Sequence, residues 1–379
     1  MRAPTRTDPA RTGAVLTGRV LEPADFVADT AAFVDVRIER SRGKVSYSFV
    51  GPGVSQNADQ HVSISEPHGF NVGAATMPHG VYNNAHLHYT PEVFVCTRGN
   101  WRVDIGRRRE QAVHLTPGAV LSVPPWVFRG FENTGCDDGF LFVVLGGDDT
   151  GGILWAPEVL REAAETGLYL RRDNTLIEAG NGAVPQDRIQ PLSDSQLACV
   201  DAYSDAELAQ RVVTGDQRRW SAHGLLSSVL GPQHAVELAP VIGFGLCQDR
   251  LSRPPIRTPH GFGLEWLRAS PGTSTGLHRH DDSQVVLLLD GDWEVALNEP
   301  DQQGSERPAA GSLVSIPASA WRDLRNVGAT AAHAVVITGG DGPSRVEWSG
   351  AVLAEATAAG FGLDAAGYVA PLELLGSGL

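Results

Sequence analysis

Lysine is nearly absent from this chain of 379 residues: Lys44 is the only one, and arginine carries every other fixed positive charge. Imine chemistry on a lysine amine would have to use that single residue and is not expected. Positive charge as a whole is in deficit, with 30 Lys and Arg against 44 Asp and Glu and a net charge of −14 at pH 7. A protein that holds nucleic acid by neutralising phosphates starts from a basic face, so that class is excluded, and an acidic membrane surface is an unsuitable partner for the same reason. Cysteine is scarce, and Cys96, Cys136, Cys199 and Cys247 lie far apart without a CxxC pair. That excludes a zinc ribbon, a dithiol redox motif and a disulfide framework, and it fits a reducing, cytoplasmic compartment. No segment approaches about 18 unbroken apolar residues, and the polar opening MRAPTRTDPARTGAV has no apolar signal core, so a soluble, untargeted protein is expected.

What the sequence has in quantity is glycine, 43 residues, and proline, 24, the punctuation of short strands and turns. Its length suggests about two domains. An internal repeat makes this concrete. VGPGVSQ at Val50 to Gln56 returns as IGFGLCQ at Ile242 to Gln248, PHGF at Pro67 returns at Pro259, and His86-Leu-His88 returns as His278-Arg-His280, all at an offset of 192. Gly99 and Trp101 answer to Gly291 and Trp293. After one inserted residue the offset is 193, pairing Gly118 with Gly311, Pro124 with Pro317, Arg129 with Arg322 and Asn133 with Asn326. The stretch from Ile153 to Leu170 aligns with Val346 to Leu363, Trp155 with Trp348 and Gly167 with Gly360. The chain is therefore one fold written twice.

Each copy is built from short β-branched or aromatic runs. VFVCTRGNWRVDIG and VVLLLDGDWEVALN read as hairpins closed by a glycine-containing turn, and FLFVVLGG and HAVVITGG as buried strands. Helices are expected after Trp155 and Trp348, each stopped by a glycine, and from Ser204, where Ser204 and Glu207 have the spacing of a capping box. The fold expected is all-β: two tandem jelly-roll barrels with a few covering helices.

His86, His88 and Glu92 fall at i, i+2 and i+6. On one strand they share a face, and two imidazoles with a carboxylate converging on a point make a facial metal triad with open coordination positions. The alternative is a pair of surface histidines near a loop.

HLHYTPEVFVCTRG resembles the first cupin motif and PGAVLSVPPWVFRGFENTG the second. The chain resembles a bicupin, similar in arrangement to quercetin and gentisate dioxygenases, with both motifs in both halves. With the repeat, this gives an N-terminal arm over 1–45, a metal-binding cupin barrel over 46–170, a linker with helical cover over 171–240, and a second barrel over 241–379 that either binds a second metal or is a degenerate partner keeping the fold. The resemblance also implies a histidine as last ligand in the second motif, where this sequence has Arg129 and Arg322. Arginine stays protonated and is not a metal ligand. Arg129 is therefore a candidate to clamp a substrate anion, with a structural ion pair to Glu132 or to a carboxylate at the barrel mouth as the alternative, and Arg322 is its counterpart in the second half. In that half His278 and His280 persist as tentative ligands, but Gln284 stands at the glutamate position.

His79, on the loop before His86, is a candidate acid or base beside Glu92, and Phe94 and Phe128 are candidate pocket walls. His333 reads either as a replacement ligand in the second barrel or as a hydrogen-bonded core residue. The resulting expectation is a metal-dependent oxygenase acting with O2 on a small aromatic or enolisable anion. Its cofactor would be a divalent transition metal with Fe(II) as first choice and Mn, Ni, Co, Cu or Zn as alternatives. A non-redox isomerase, lyase or cyclase using the same ion is the second reading, and a binding protein without turnover the third. A homo-oligomer joined through sheet edges is expected.

Overall fold

The apolar runs become strands nearly everywhere, and the glycine- and proline-rich breaks become turns. The computed structural model describes Leu16 and residues 18–180, 183–298 and 304–375. Among these residues the strands form two six-stranded and two five-stranded sheets and two small hairpins, with only short helices. This is the expected all-β pair of jelly rolls. No helix among the described residues is long and apolar enough to cross a membrane.

The chain divides into two units: Phe26–Gln217, and Arg218 onward together with the residues up to Asp25. The segment 1–45, expected as one arm, is thus shared between units, as is the segment 171–240, expected as one linker. In the first unit the larger sheet runs in the order Val212–Val213, Val120–Val123, Glu92–Arg98, Gly139–Gly146, Phe70–Met77 and Val45–Val50. The smaller runs Ile153–Trp155, Tyr82–His88, Arg129–Asn133, Trp101–Ile105 and Gln111–Leu115. Phe94, Trp101, Val103, Leu121, Phe131 and Leu141 fill the space between them. The second unit repeats the plan with Val20–Leu21, Leu313–Ile316, Gln284–Leu288, Ala332–Gly339, Phe262–Ala269 and Val236–Ile242 in its larger sheet.

The expected hairpins around Gly99 and Gly291 are corrected by this topology. Glu92–Arg98 pairs with Val120–Val123 and Gly139–Gly146, whereas Trp101–Ile105 pairs with Gln111–Leu115 and Arg129–Asn133. The glycine carries the chain from one sheet to the other instead of closing a hairpin. Gly99 has φ +84°, and a Cβ there would lie 2.7 Å from the Gly139 Cα, so only glycine fits the crossing. Trp101, which follows, is fully buried and donates its indole N–H to the Arg98 carbonyl at 3.0 Å. Trp293 does the same to Asp290 at 2.9 Å. The repeated asparagines act just as locally. Asn133 donates to the carbonyls of Met77 and Asp137, and Asn326 to those of Ala269 and Thr330.

The edge strands hold a further regularity. Val20–Leu21 and Val212–Val213 are themselves 192 residues apart, each leading in sequence toward one barrel, yet each completes the larger sheet of the other. Val212–Val213 pairs with Val120–Val123, and Val20–Leu21 pairs with Leu313–Ile316. The helices fall where expected. Pro157–Glu165 opens with proline in its first turn, Gly350–Ala358 is capped by Ser349, and Asp205–Ala209 begins with the Ser204–Glu207 capping box.

Candidate metal centre of the first barrel

His86 and His88 share a face of Tyr82–His88, but Glu92 opens the next strand after the turn at Tyr89–Pro91. The triad therefore forms across two strands, one from each sheet, and not along the single strand that the spacing predicts. A register shift between Asn83 and His86 sets His86 opposite Arg129. The ligand atoms of His86, His88 and Glu92 lie within 4.8 Å of one another, and all three residues are buried.

Each imidazole is oriented through its other nitrogen. The Nδ1 of His86 pairs with the Asn84 carbonyl at 2.7 Å, and that of His88 with the Gly152 carbonyl at 3.3 Å, which assigns the proton to Nδ1 and turns Nε2 inward. Burial, with His88 and Arg129 adding repulsion, holds His86 well below the ordinary imidazole pKa, so it is neutral and able to ligate. Burial opposes ionisation of Glu92, but His88 and Arg129 outweigh it and keep the carboxyl below its usual range. Nε2 of His88 and Oε2 of Glu92 sit 3.5 Å apart, and neither has a hydrogen-bond partner among the described residues. Orphaned polar atoms in a buried site are costly unless an occupant satisfies them. Two imidazoles and one carboxylate suit a divalent transition ion, and the donor set fits that group.

Arg129 is fully buried, with Nε 3.7 Å from Glu92 Oε2 and Nη2 donating to the Pro124 carbonyl at 2.6 Å. Burial lowers its pKa to about 10, which leaves it charged at neutral pH. The carboxylate it pairs with is Glu92.

The triad opens on a cavity of about 80 Å³ lined by Lys44, Tyr47, Asn83, Gly73, Ala75 and Phe131 beside the three ligands. A single water needs roughly 10–15 Å³ on this measure, so the space suits several waters or a small acid. The wall includes neither Arg129 nor Phe94 nor Phe128. Phe94 is a core residue between the sheets, and Phe128 packs in the cluster with Trp155. His79 is corrected as well: it lies on an exposed loop with its ring tied to the Gly135 carbonyl at 2.6 Å. Sequence reasoning missed Lys44 and Asn83 as cavity residues. Lys44 Nζ pairs with Asp35 and donates to Asn83 Oδ1 at 2.7 Å, and the lysine side chain is 3% exposed.

The second barrel uses the same positions differently. His278 Nδ1 pairs with the Gly276 carbonyl at 2.7 Å, copying His86. Arg322 Nη1, however, donates to His280 Nε2 at 2.6 Å, taking up the nitrogen that a metal would need, and Gln284 turns its amide toward Thr338. Of the tentative set His278, His280 and Gln284, His280 is thus occupied by Arg322, which itself is held by the carbonyls of Ala320 and Pro317, while the buried Nε2 of His278 has no partner among the described residues. Burial first, and Arg322 second, push His278 down to about 3. Where the first cavity has Gly73 and Ala75, this barrel has Glu265 and Leu267. Oε1 of Glu265 accepts the Leu246 N–H at 3.1 Å. His333 is half-buried and bonded to the Asp290 carboxylate at 3.0 Å, away from the histidine pair.

Fold and site together describe two tandem jelly-roll barrels in one chain, with a candidate metal triad in the first. Residues 266–338 match the Cupin domain family. Among solved structures, Lactobacillus farciminis oxalate decarboxylase in complex with formate is similar at a TM-score of 0.54 and 14% identity, over 88% of this chain and 89% of that one. Bacillus subtilis oxalate decarboxylase at pH 4.6 gives 0.52 and 11%, over 87% and 78%. At such identity the likeness is one of fold. No curated protein matches this sequence.

Proposed function

We propose that the first barrel is the working site of a metal-dependent lyase that releases CO2 from a small carboxylic acid. The observation that carries this reading is the buried convergence of His86, His88 and Glu92, with orphaned Nε2 and Oε2 atoms, on a cavity sized for a few heavy atoms. The fold neighbours, named as oxalate decarboxylases, support the reaction class. When bound, a divalent ion supplies Lewis acidity to the acid's oxygens. His86, His88 and Glu92 hold it. Glu92, kept ionised by His88 and Arg129, is a ligand and not a proton donor. The buried walls exclude bulk water while the bond to the departing carboxyl breaks, its electron pair stays on carbon and one proton takes the place of CO2. For a two-carbon diacid the balance is one dianion and one proton giving one monoanion and CO2.

An oxygenase is the second reading, favoured by one feature: a triad of two histidines and one carboxylate leaves coordination positions open for both substrate and O2. The readings separate on gas exchange. Protein loaded in turn with Mn(II) and Fe(II) is expected to release CO2 from small diacids without matching O2 consumption. O2 uptake equal to acid consumed would move the oxygenase ahead. Tight acid binding with neither gas would leave a binding protein.

A further inference from the structure

Lys44 is the only lysine in the chain, and it is buried in the wall of the metal cavity. Two of its three ammonium N–H groups are accounted for, by Asp35 and by Asn83. The third has no acceptor among the described residues. Asp35 is itself fully buried and held by the backbone and side-chain amides of Asn84, and Phe33 and Trp155 lie 4.8 and 5.6 Å from the ammonium. The head group is thus fixed in place before any ligand arrives.

A buried ion pair is a poor way to hold a barrel together, because removing both charges from water costs nearly as much as their attraction returns. The repeat shows that this fold does not require it. At the offset of 192, Asp35, Lys44 and Asn83 correspond to Ser227, Val236 and Thr275. The barrel whose His280 is occupied by Arg322 has thus replaced the pair with a hydroxyl and an isopropyl group, and Ser227 merely donates to the Thr275 carbonyl. Lys44 and the triad occur together in one copy and are both missing from the other.

Resting on the metal-site reading above, we propose that Lys44 is the anion-recognition residue of this cavity and that it selects a small acid with two negative groups, one at the triad and one at the ammonium. Charge complementarity gives the same class of ligand. The negative charges of Glu92 and Asp35 cancel the positive charges of Arg129 and Lys44, so a divalent ion leaves the loaded site at plus two, the complement of a dianion. Arg129 cannot take this part from outside the cavity wall, where its guanidinium faces Glu92 and Pro124.

The test is calorimetric titration of the metal-loaded, full-length protein with acetate, oxalate, malonate and succinate. Lys44→Met alone strands Asp35 as a buried charge and endangers the fold, so the deciding variant is Lys44→Met with Asp35→Asn, which removes both charges. The wild type is expected to bind one of the diacids at least tenfold more tightly than acetate. The double variant should keep its metal and its melting temperature yet lose that preference. An unchanged preference in a metal-loaded double variant overturns the assignment, as does loss of the metal itself, which would make Lys44 a support for His86. If the wild type binds no acid, the substrate class of the lyase reading falls as well. Lys44-dependent diacid binding without turnover sinks only the reaction.

Discussion

Glu92 and Gln284 stand at equivalent places and differ by an oxygen exchanged for an amide nitrogen. In the first barrel that oxygen is the charged member of a metal triad, and in the second the amide bonds to Thr338. Copying the difference, Glu92→Gln should lower metal affinity by at least the roughly 10–100-fold that loss of a mere supporting contact costs, read as metal equivalents per chain by elemental analysis. Glu265 gives a prediction in stability. Burial raises its carboxyl to about 8 from 4.5. Across that window the folded chain keeps a proton the unfolded chain has released, so the stability that depends on the neutral carboxyl is full below about pH 4.5, falls as pH rises and is lost above about pH 8. Glu265→Gln retains the acceptor for Leu246 and removes the titration. Its melting temperature should match the wild type near pH 4.5 and exceed it near pH 8.5, at about 2–4 °C for each kcal/mol recovered. Parallel pH profiles would mean that the carboxyl is not buried neutral.

At the scale of elements, Phe70–Met77 decides whether its barrel is hollow. Gly73 is obligatory, since a Cβ would meet the Tyr47 carbonyl oxygen at 2.6 Å, but Ala75 is a choice, for its counterpart is Leu267. Ala75→Leu is expected to fill the cavity, at a cost of no more than about 1–3 kcal/mol, and to weaken acid binding at least tenfold in titration while metal content stays unchanged. Much of this architecture is legible in the sequence because repetition marks it: the recurring Gly, Trp and Asn of each copy do local backbone work that tolerates little substitution. The triad is legible too, since His-x-His with a following glutamate brings three ligand types close by spacing alone. What pattern does not disclose is pairing at a distance. The sequence around Gly99 looks like a hairpin because a sheet-crossing turn and a hairpin turn place the same demands on a glycine. Lys44 lies 42 residues before His86 and enters the cavity only through the pairing of Val45–Val50 with Phe70–Met77.

On the scale of the whole molecule, the unit boundaries follow the exchanged edge strands. An uncovered edge is the part of a sheet most open to unwanted pairing, and here each larger sheet is finished by a strand drawn from the opposite side of the repeat. Fragments 1–217 and 218–379 produced together are therefore expected to co-purify, because residues up to Asp25 belong with the second fragment. Starting the first fragment at residue 26 should weaken that association and lower the solubility of the second. Equal recovery with and without residues 1–25 would deny the strand its role.

The exchange also sets a timetable. Leu21 leaves the ribosome well before its partner Leu313, which is made 292 residues later. At roughly 5–20 residues per second, that is an interval of about 15–60 s. During it the first barrel can close using Val212–Val213, while the leader waits without a sheet to join. Translation speed through the second half thus governs how long a strand with an open edge is exposed in a crowded cell, and slow synthesis there would favour capture by a neighbouring nascent chain.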